Sequence, residues 1–420
     1  MSGDRSGPRR RRDSDRPAWR TDRRWQAGFL IGSALGAAVA VAGRRAERSA
    51  RRGLVDWPAV ERAAVRRLRA APGALSAQEL AAIEPEYRRA MDAIVPRLGQ
   101  ALGVTLPGVA ERAAVVDRAG WVHANIASFA QLIERMEGDL LDQVVPHGGG
   151  LGRAAVALAN RFVTTQQLGF LLGFMGTKVL GQYDLALLAA GPSDGRVLFV
   201  EENIRATARA LGVPVGAFRT WIALHETAHA FEFEAHPWLR PYLADRLERQ
   251  LALLSGDAAS LGRGGVRGLG RALRRGEPGD HWMERLMGEE QRRLFRETQA
   301  VMSLLEGFSD YIMDEVGRDF VPDVERISAR FHERRENRST FERAVMRLTG
   351  LDLKMEQYKR GERFVRAIAA AGGAAALNRL WESPATLPVS EEITEPRAWL
   401  RRVMEGGEQG NPSMRQGDQR

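Results

Sequence analysis

Apolar and charged residues alternate at helical spacing over most of the chain, and this pattern predicts a body built mainly from α-helices. Turn residues separate the helices: Pro72-Gly73 lies between the first two, and Pro237 ends another, because the residue before a proline is driven out of the helical region. The predicted helices are residues 56–70, 77–95, 120–137, 152–181, 203–211, 221–236, 238–254, 283–295, 299–316, 341–347 and 361–371.

Residues 196–202, RVLFVEE, depart from the helical pattern and form the clearest candidate strand of the chain. The predicted fold class is therefore mostly α (α+β), a helical body with a small β-sheet beside the helix of residues 221–236. A chain of 420 residues with 44% hydrophobic content can bury a large core. We expect one domain over residues 54–402, with a subdivision near residue 191 as the alternative.

The positive charge of the chain lies outside this body. The formal net charge is +9; residues 1–24 carry nine Arg and four Asp, and residues 44–52 carry five Arg and one Glu. These two segments account for the whole net charge, so residues 53–420 are neutral overall and no nucleic-acid partner is expected. Residues 1–24 have almost no apolar content and are predicted to be disordered, and residues 406–420 form a polar tail.

Residues 25–43, WQAGFLIGSALGAAVAVAG, contain no charged residue. As a helix they would be about 28 Å long, close to the thickness of a bilayer core. Gly28, Gly32 and Gly36 recur every four residues, which suits close helix contacts in lipid. The pattern favours a membrane anchor, with a helix packed on the body and a signal peptide as the alternatives. The predicted location is cytoplasmic, with attachment to the cell membrane through this segment.

The chemistry is concentrated in residues 221–239, where His225-Glu226-Thr227-Ala228-His229 forms an H-E-x-x-H pattern. Residues four apart on a helix share one face, so His225 and His229 can direct their imidazoles at a common point. Glu226 lies one step round the helix and can reach a water held there. Two imidazoles with an adjacent carboxylate are typical of a zinc hydrolase. The alternative is a pair of histidines packed in a buried amphipathic helix.

A third ligand must come from elsewhere in the sequence. The chain has no cysteine, so any metal is held by His and carboxylate groups. Within residues 303–317, SLLEGFSDYIMDEVG, Glu306 lies among apolar residues where an unpaired carboxylate would be costly to bury. Glu306 is therefore the predicted third ligand. Asp310, one turn later, is predicted to accept the free N–H of a metal-bound imidazole.

This combination of motifs resembles the gluzincin arrangement of thermolysin-like metallopeptidases. The resemblance implies zinc bound by His225, His229 and Glu306, Glu226 as general base, and Asp310 supporting a ligand histidine. The gap between His229 and Glu306 is longer than in thermolysin. It also implies that the strand before the metal helix is the sheet edge along which an extended substrate pairs.

More of the chain, about residues 54 to 402, is similar to a zincin-like family of actinobacterial and related proteins, which implies a zincin-like body around the metal. Members of this family are described as zinc-dependent metalloproteases or linked to biosynthesis of a deazaflavin coenzyme. The matching stretches are Val55-Asp56-Trp57, Val116-Asp117-Arg118-Ala119-Gly120-Trp121-Val122, Val179-Leu180-Gly181-Gln182-Tyr183-Asp184, Pro237-Trp238-Leu239-Arg240, Leu305-Glu306-Gly307 and residues 357–365.

The predicted function is metal-assisted hydrolysis of a peptide or protein substrate, with Zn2+ as the cofactor and Glu226 as the base that activates a water. The alternative is a non-proteolytic binding or scaffold protein on the same fold, with a link to coenzyme biosynthesis. An intact Glu226 disfavours that alternative, because a purely structural metal site needs no base.

Overall fold

The computed structural model describes residues 53, 55–105, 108–144, 151–183, 195–250, 253, 288–336 and 353–405. Its helices are α1 (Trp57–Arg69), α2 (Ala77–Leu102), α3 (Arg118–Val144), α4 (Leu151–Gly176), α5 (Glu201–Leu211), α6 (Val215–Ala235), α7 (Glu289–Gly317), α8 (Val324–Glu336), α9 (Leu353–Leu380), α10 (Ser390–Thr394) and α11 (Pro396–Leu400). Residues 239–250 are also helical. The strands are β1 (Ala113–Val116), β2 (Gly181–Tyr183) and β3 (Val197–Val200).

These elements confirm the predicted fold class, a mostly helical body with a small sheet. The predictions for residues 1–24, 25–43 and 406–420, and for a subdivision near residue 191, lie outside the described residues. Among the helices that are described, none is both long and apolar enough to span a bilayer.

Several helices differ from the prediction: α4 ends at Gly176 and not at residue 181, α6 begins at Val215, α9 extends over Leu353–Leu380, and α8, α10 and α11 were not predicted. A capping box begins α2, in which the Glu79 amide donates to Ser76 Oγ and the Ser76 amide donates to the Glu79 carboxylate. This helix continues through Pro96 to Leu102, beyond its predicted end at residue 95. The two helices predicted within residues 283–316 form the single helix α7, since no glycine or proline interrupts residues 289–306.

The three strands form a mixed sheet in the order β1-β3-β2, with β3 parallel to β1 and antiparallel to β2. Alternate side chains of β3 enter two separate hydrophobic clusters. Val197 and Phe199 join the main core, whereas Leu198 and Val200 join a second cluster formed with α1, α3 and α4. Both faces of β3 are therefore buried, and β3 is the central strand of this sheet. The expectation that it is a substrate-pairing edge is wrong, and the edge positions of the described sheet belong to β1 and β2.

The strand predicted at residues 196–202 ends at Val200 because the two carboxylates that follow it serve buried polar contacts. Glu201 is fully buried and accepts hydrogen bonds from Arg219 on α6 and from the Tyr87 hydroxyl on α2. Glu202 accepts the backbone amides of Leu75 and Arg118. A buried carboxylate is tolerated only when it is paired in this way. The pairing with Arg219 ties α6 to the carboxyl end of β3.

Helices α7 and α9 approach closely through two glycines. A Cβ atom at Gly307 would lie 2.3 Å from the backbone nitrogen of Glu362, and one at Gly361 would lie 1.9 Å from the carbonyl oxygen of Ser303. Neither position can accommodate a side chain at this helix separation. The contact therefore brings the turns of α9 around Gly361 against the middle of α7, where Glu306 lies.

Candidate metal centre

The predicted ligands His225, His229 and Glu306 converge in the structure. Helix α6 places the two imidazoles one turn apart, with ring centroids 4.6 Å from each other. Helix α7 brings Glu306 Oε2 to 4.0 Å from His225 Nε2. One potential ligand atom from each residue lies within 4.8 Å of the others. Their side chains remain 16%, 15% and 18% exposed, which leaves an approach from solvent.

This donor set fits zinc. Catalytic zinc sites use three protein ligands of the His and carboxylate types and keep a fourth position open. Donor atoms around a tetrahedral zinc lie about 3.3–3.6 Å apart, given metal–ligand distances of about 2.0–2.2 Å. The three side chains would therefore close by up to roughly 1 Å around the ion, which small rotamer changes can supply.

Glu232, which the sequence analysis did not identify, fixes the orientation of His229. Its Oε2 atom lies 2.7 Å from His229 Nδ1, and the Ser309 hydroxyl lies 3.3 Å from the same nitrogen. Burial opposes a charge on His229, but the contact with Glu232 raises its pKa to about 10. When the ring is neutral, the proton on Nδ1 is directed at Glu232 and Nε2 is the metal-binding atom. The available signal was an acidic residue three positions after His229, between Phe231 and Phe233.

Replacing Glu232 with glutamine is expected to weaken zinc binding by about tenfold while the fold is kept. Glutamine has the same shape but lacks the negative charge that makes the imidazole a stronger ligand, and supporting residues of this kind are typically worth about 10–100-fold in affinity. Competition against a chromogenic chelator measures the change. Glu234→Gln is the matched control. Glu234 lies at the same end of the helix as Glu232, but it bonds to Arg112 and Tyr183 and not to His229. Equal affinity in both variants would contradict the positioning role.

Glu226 is buried beside the edge strand. Its Oε2 atom accepts the backbone amide of Tyr183 at 2.8 Å. A Cβ atom at Gly181 would lie 2.6 Å from Glu226 Oε1, so the carboxylate occupies space that only glycine leaves open. Burial raises the pKa of Glu226 to about 7. A carboxylate with a pKa near neutrality is suited to take up and return a proton.

Polar contacts hold the end of β2 against α6. The Tyr183 hydroxyl donates to Glu234 Oε1 at 2.8 Å and accepts from Arg240 at 2.7 Å. Arg112, next to β1, forms a two-point contact with the Glu234 carboxylate, at 2.7 and 2.9 Å. The backbone amide that holds Glu226 is therefore itself fixed by a network between the sheet and the metal helix.

Asp310 lies one helical turn from Glu306, and the structure places His332 beside it. Asp310 Oδ2 is 3.9 Å from His332 Nε2, on α8. His225 Nδ1 lies 3.1 Å from Met313 Sδ. The support of a zinc-bound imidazole by Asp310 remains a prediction. No pattern in the sequence singled out His332.

Comparisons with known proteins identify the family of this chain. A family model for zincin-like metallopeptidases matches residues 55–400. A crystal structure of a proposed hydrolase with a novel fold from Chloroflexus aurantiacus is 35% identical to this chain, with a TM-score of 0.63. The match covers 83% of this chain and 99% of the other. A search of curated proteins finds no significant match. The extent of the family match shows that the chain belongs to the zincin-like metallopeptidase family.

Proposed function

We propose that this protein is a zinc-dependent peptidase in which Glu226 is the general base. Membership of the zincin-like family implies a divalent metal, usually zinc, and hydrolase chemistry. The more specific assignment, cleavage of a peptide bond by the residues named here, is the proposal.

One observation carries the proposal: the three ligand side chains converge next to a buried carboxylate that is not itself a member of the triad. A structural metal site is closed by its ligands and needs no base. Here the ligands are partly exposed, and the Glu226 side chain, on the same helix as the two histidines, is held by a hydrogen bond from the backbone amide of Tyr183 in β2. This combination is the one that hydrolysis requires.

The residues would share the reaction as follows. His225, His229 and Glu306 would hold the zinc, and Glu232 would keep His229 in the ligating tautomer. Zinc held by these residues would supply Lewis-acid chemistry, making a water more acidic and a carbonyl group more electrophilic. Glu226 would accept a proton from the attacking water and pass it to the leaving amine. Burial, which raises the pKa of Glu226, favours its uptake of that proton.

The edge strand supports a peptide as the substrate. In the described part of the sheet β2 pairs only with β3. On its other side the Tyr183 amide already donates to Glu226, so an added strand would pair with the remaining backbone groups of that edge. An extended peptide can add to such an edge through backbone hydrogen bonds, which would place its carbonyl groups near the proposed base.

The test is to measure the zinc content of the purified full-length chain and its turnover of a mixed peptide library by mass spectrometry. We expect one zinc that depends on His225 and cleavage products that disappear after chelation and return with zinc. A protein that holds zinc through His225 and leaves every peptide intact would support the scaffold alternative instead and overturn the peptidase assignment.

A further inference from the structure

We propose that Asp310, His332 and Glu362 form a second divalent-metal site, separate from the triad of His225, His229 and Glu306. One potential ligand atom from each of the three residues lies within 4.8 Å of the others. They come from three helices, α7, α8 and α9. Convergence from three separate elements distinguishes this group from acidic side chains that share one exposed helix face.

The imidazole of His332 is oriented as a ligand. Its Nδ1 atom lies 2.8 Å from the backbone carbonyl oxygen of Ser328, which can only accept a hydrogen bond. The proton of the neutral ring is therefore placed on Nδ1, and Nε2 carries the lone pair. Nε2 faces Asp310 Oδ2 at 3.9 Å, too far for a direct hydrogen bond. A cation bound between the two atoms would contact both.

Burial and charge also favour a cation. The Asp310 side chain is only 10% exposed, and that of Glu362 is 24% exposed. Arg366 donates to Glu362 Oε1 at 3.0 Å and contacts Asp314 as well. Asp310, Asp314, Glu362 and Arg366 together carry a formal charge of −2, which one divalent ion balances. Carboxylates collected in a partly buried position favour the binding of a cation.

The glycine contact between α7 and α9 places Glu362 in this group. Because Gly307 and Gly361 leave no room for side chains, the backbone nitrogen of Glu362 packs against α7 one turn before Asp310. Glu306 and Asp310 are four residues apart, about 6 Å along the helix axis. Metal ions that share a bridging ligand in two-metal sites lie about 3.5–4 Å apart. The two groups have no residue in common, so no side chain of either group bridges the two sites.

The donor set indicates the class of metal. One imidazole with two carboxylates suits a first-row ion such as Zn2+ or Mn2+, because an all-oxygen site would be expected for Ca2+ or Mg2+. An ion bound there would tie α8 and α9 to the helix that supplies Glu306. Its expected effect is to hold the wall of the catalytic centre in place.

The test is calorimetric titration of the metal-free full-length chain with ZnCl2, with the stoichiometry checked by native mass spectrometry. We expect two zinc equivalents for the wild-type chain and one for His332→Ala, for Glu362→Gln and for His225→Ala. The control His123→Ala should keep two, because His123 contacts Glu61 on the exposed surface and belongs to neither triad. Hydrolysis plays no part in this measurement, so its outcome is independent of the peptidase assignment.

Two outcomes would overturn the second site. In the first, the wild-type chain takes up one zinc, His225→Ala takes up none and His332→Ala still takes up one. Asp310 and His332 would then form an ion pair only. In the second, His332→Ala and Glu362→Gln each still bind two zinc equivalents. Any second ion would then bind at other residues. Should His332→Ala lose its helical circular dichroism, the conservative variant Glu362→Gln decides the question.

Discussion

Replacing Glu226 with glutamine is expected to lower peptide turnover by about 100- to 10,000-fold, the usual contribution of general acid–base catalysis, while zinc content stays at one per chain at the first site. Glutamine has nearly the same shape, and its amide oxygen can accept the Tyr183 amide as Glu226 Oε2 does. The side chain would remain in place but could no longer take a proton from water. Cleavage rates and zinc content, measured on the same preparation, separate these two effects.

Glu84→Gln is the control for this variant, because Glu84 is an exposed partner of Arg88 on α2. It should retain the wild-type rate. A Glu226→Gln protein with wild-type turnover would remove Glu226 from the mechanism, whatever its zinc content.

Replacing Glu306 with alanine is expected to remove zinc from the first site about as completely as His225→Ala does. Loss of a direct ligand should weaken binding by more than about 100-fold, beyond the range that supporting residues reach. The carboxylate lies 4.0 Å from His225 Nε2 and is the single contribution of α7 to the first triad. Zinc affinity is measured by competition with a chelator, and the loss should appear together with loss of peptide cleavage.

Glu290→Ala is the matched control, since Glu290 is an exposed residue in the first turn of the same helix. It should bind zinc as the wild-type chain does. Normal binding by Glu306→Ala at the site that His225→Ala destroys would show that the third ligand is a different residue.

The central part of the site could be predicted from the sequence because it depends on local geometry. His225, Glu226 and His229 lie within five consecutive residues of one helix, so helical periodicity alone determines their relative positions. Glu306 could be inferred without a spacing rule, because a carboxylate in an apolar helix must be compensated by a partner. Chemistry, rather than proximity along the chain, identified it.

The residues that the sequence analysis missed depend on contacts between distant elements. His332 and Glu362 approach Asp310 only because α8 and α9 pack against α7. Periodicity within each helix identifies its buried face but not which helix covers it. Glu232 was a different case, since it lies in the metal helix itself, and the rule that a buried carboxylate needs a partner could have been applied to it as it was to Glu306.

The strands of the sheet also differ in how far they can be predicted from the sequence. The apolar run of β3 is long enough to predict a strand, but β2 has only three residues, Gly181–Tyr183, and no alternating pattern. Its position as the edge beside Glu226 comes from pairing with β3 across the fold. The strand boundary at Val200 was also unpredictable from propensity, because it depends on the pairing of Glu201 with Arg219, 18 residues later.

The close contact between Gly181 and Glu226 has an evolutionary consequence. Any side chain at position 181 would displace the carboxylate, so the two positions cannot vary independently. Among related chains, those that keep a glutamate at the position of Glu226 should keep glycine at the position of Gly181. Chains that have lost the glutamate are released from this restriction and should accumulate alanine, serine or larger residues there. A glycine in an edge strand would then serve as a marker of retained catalysis in newly sequenced relatives.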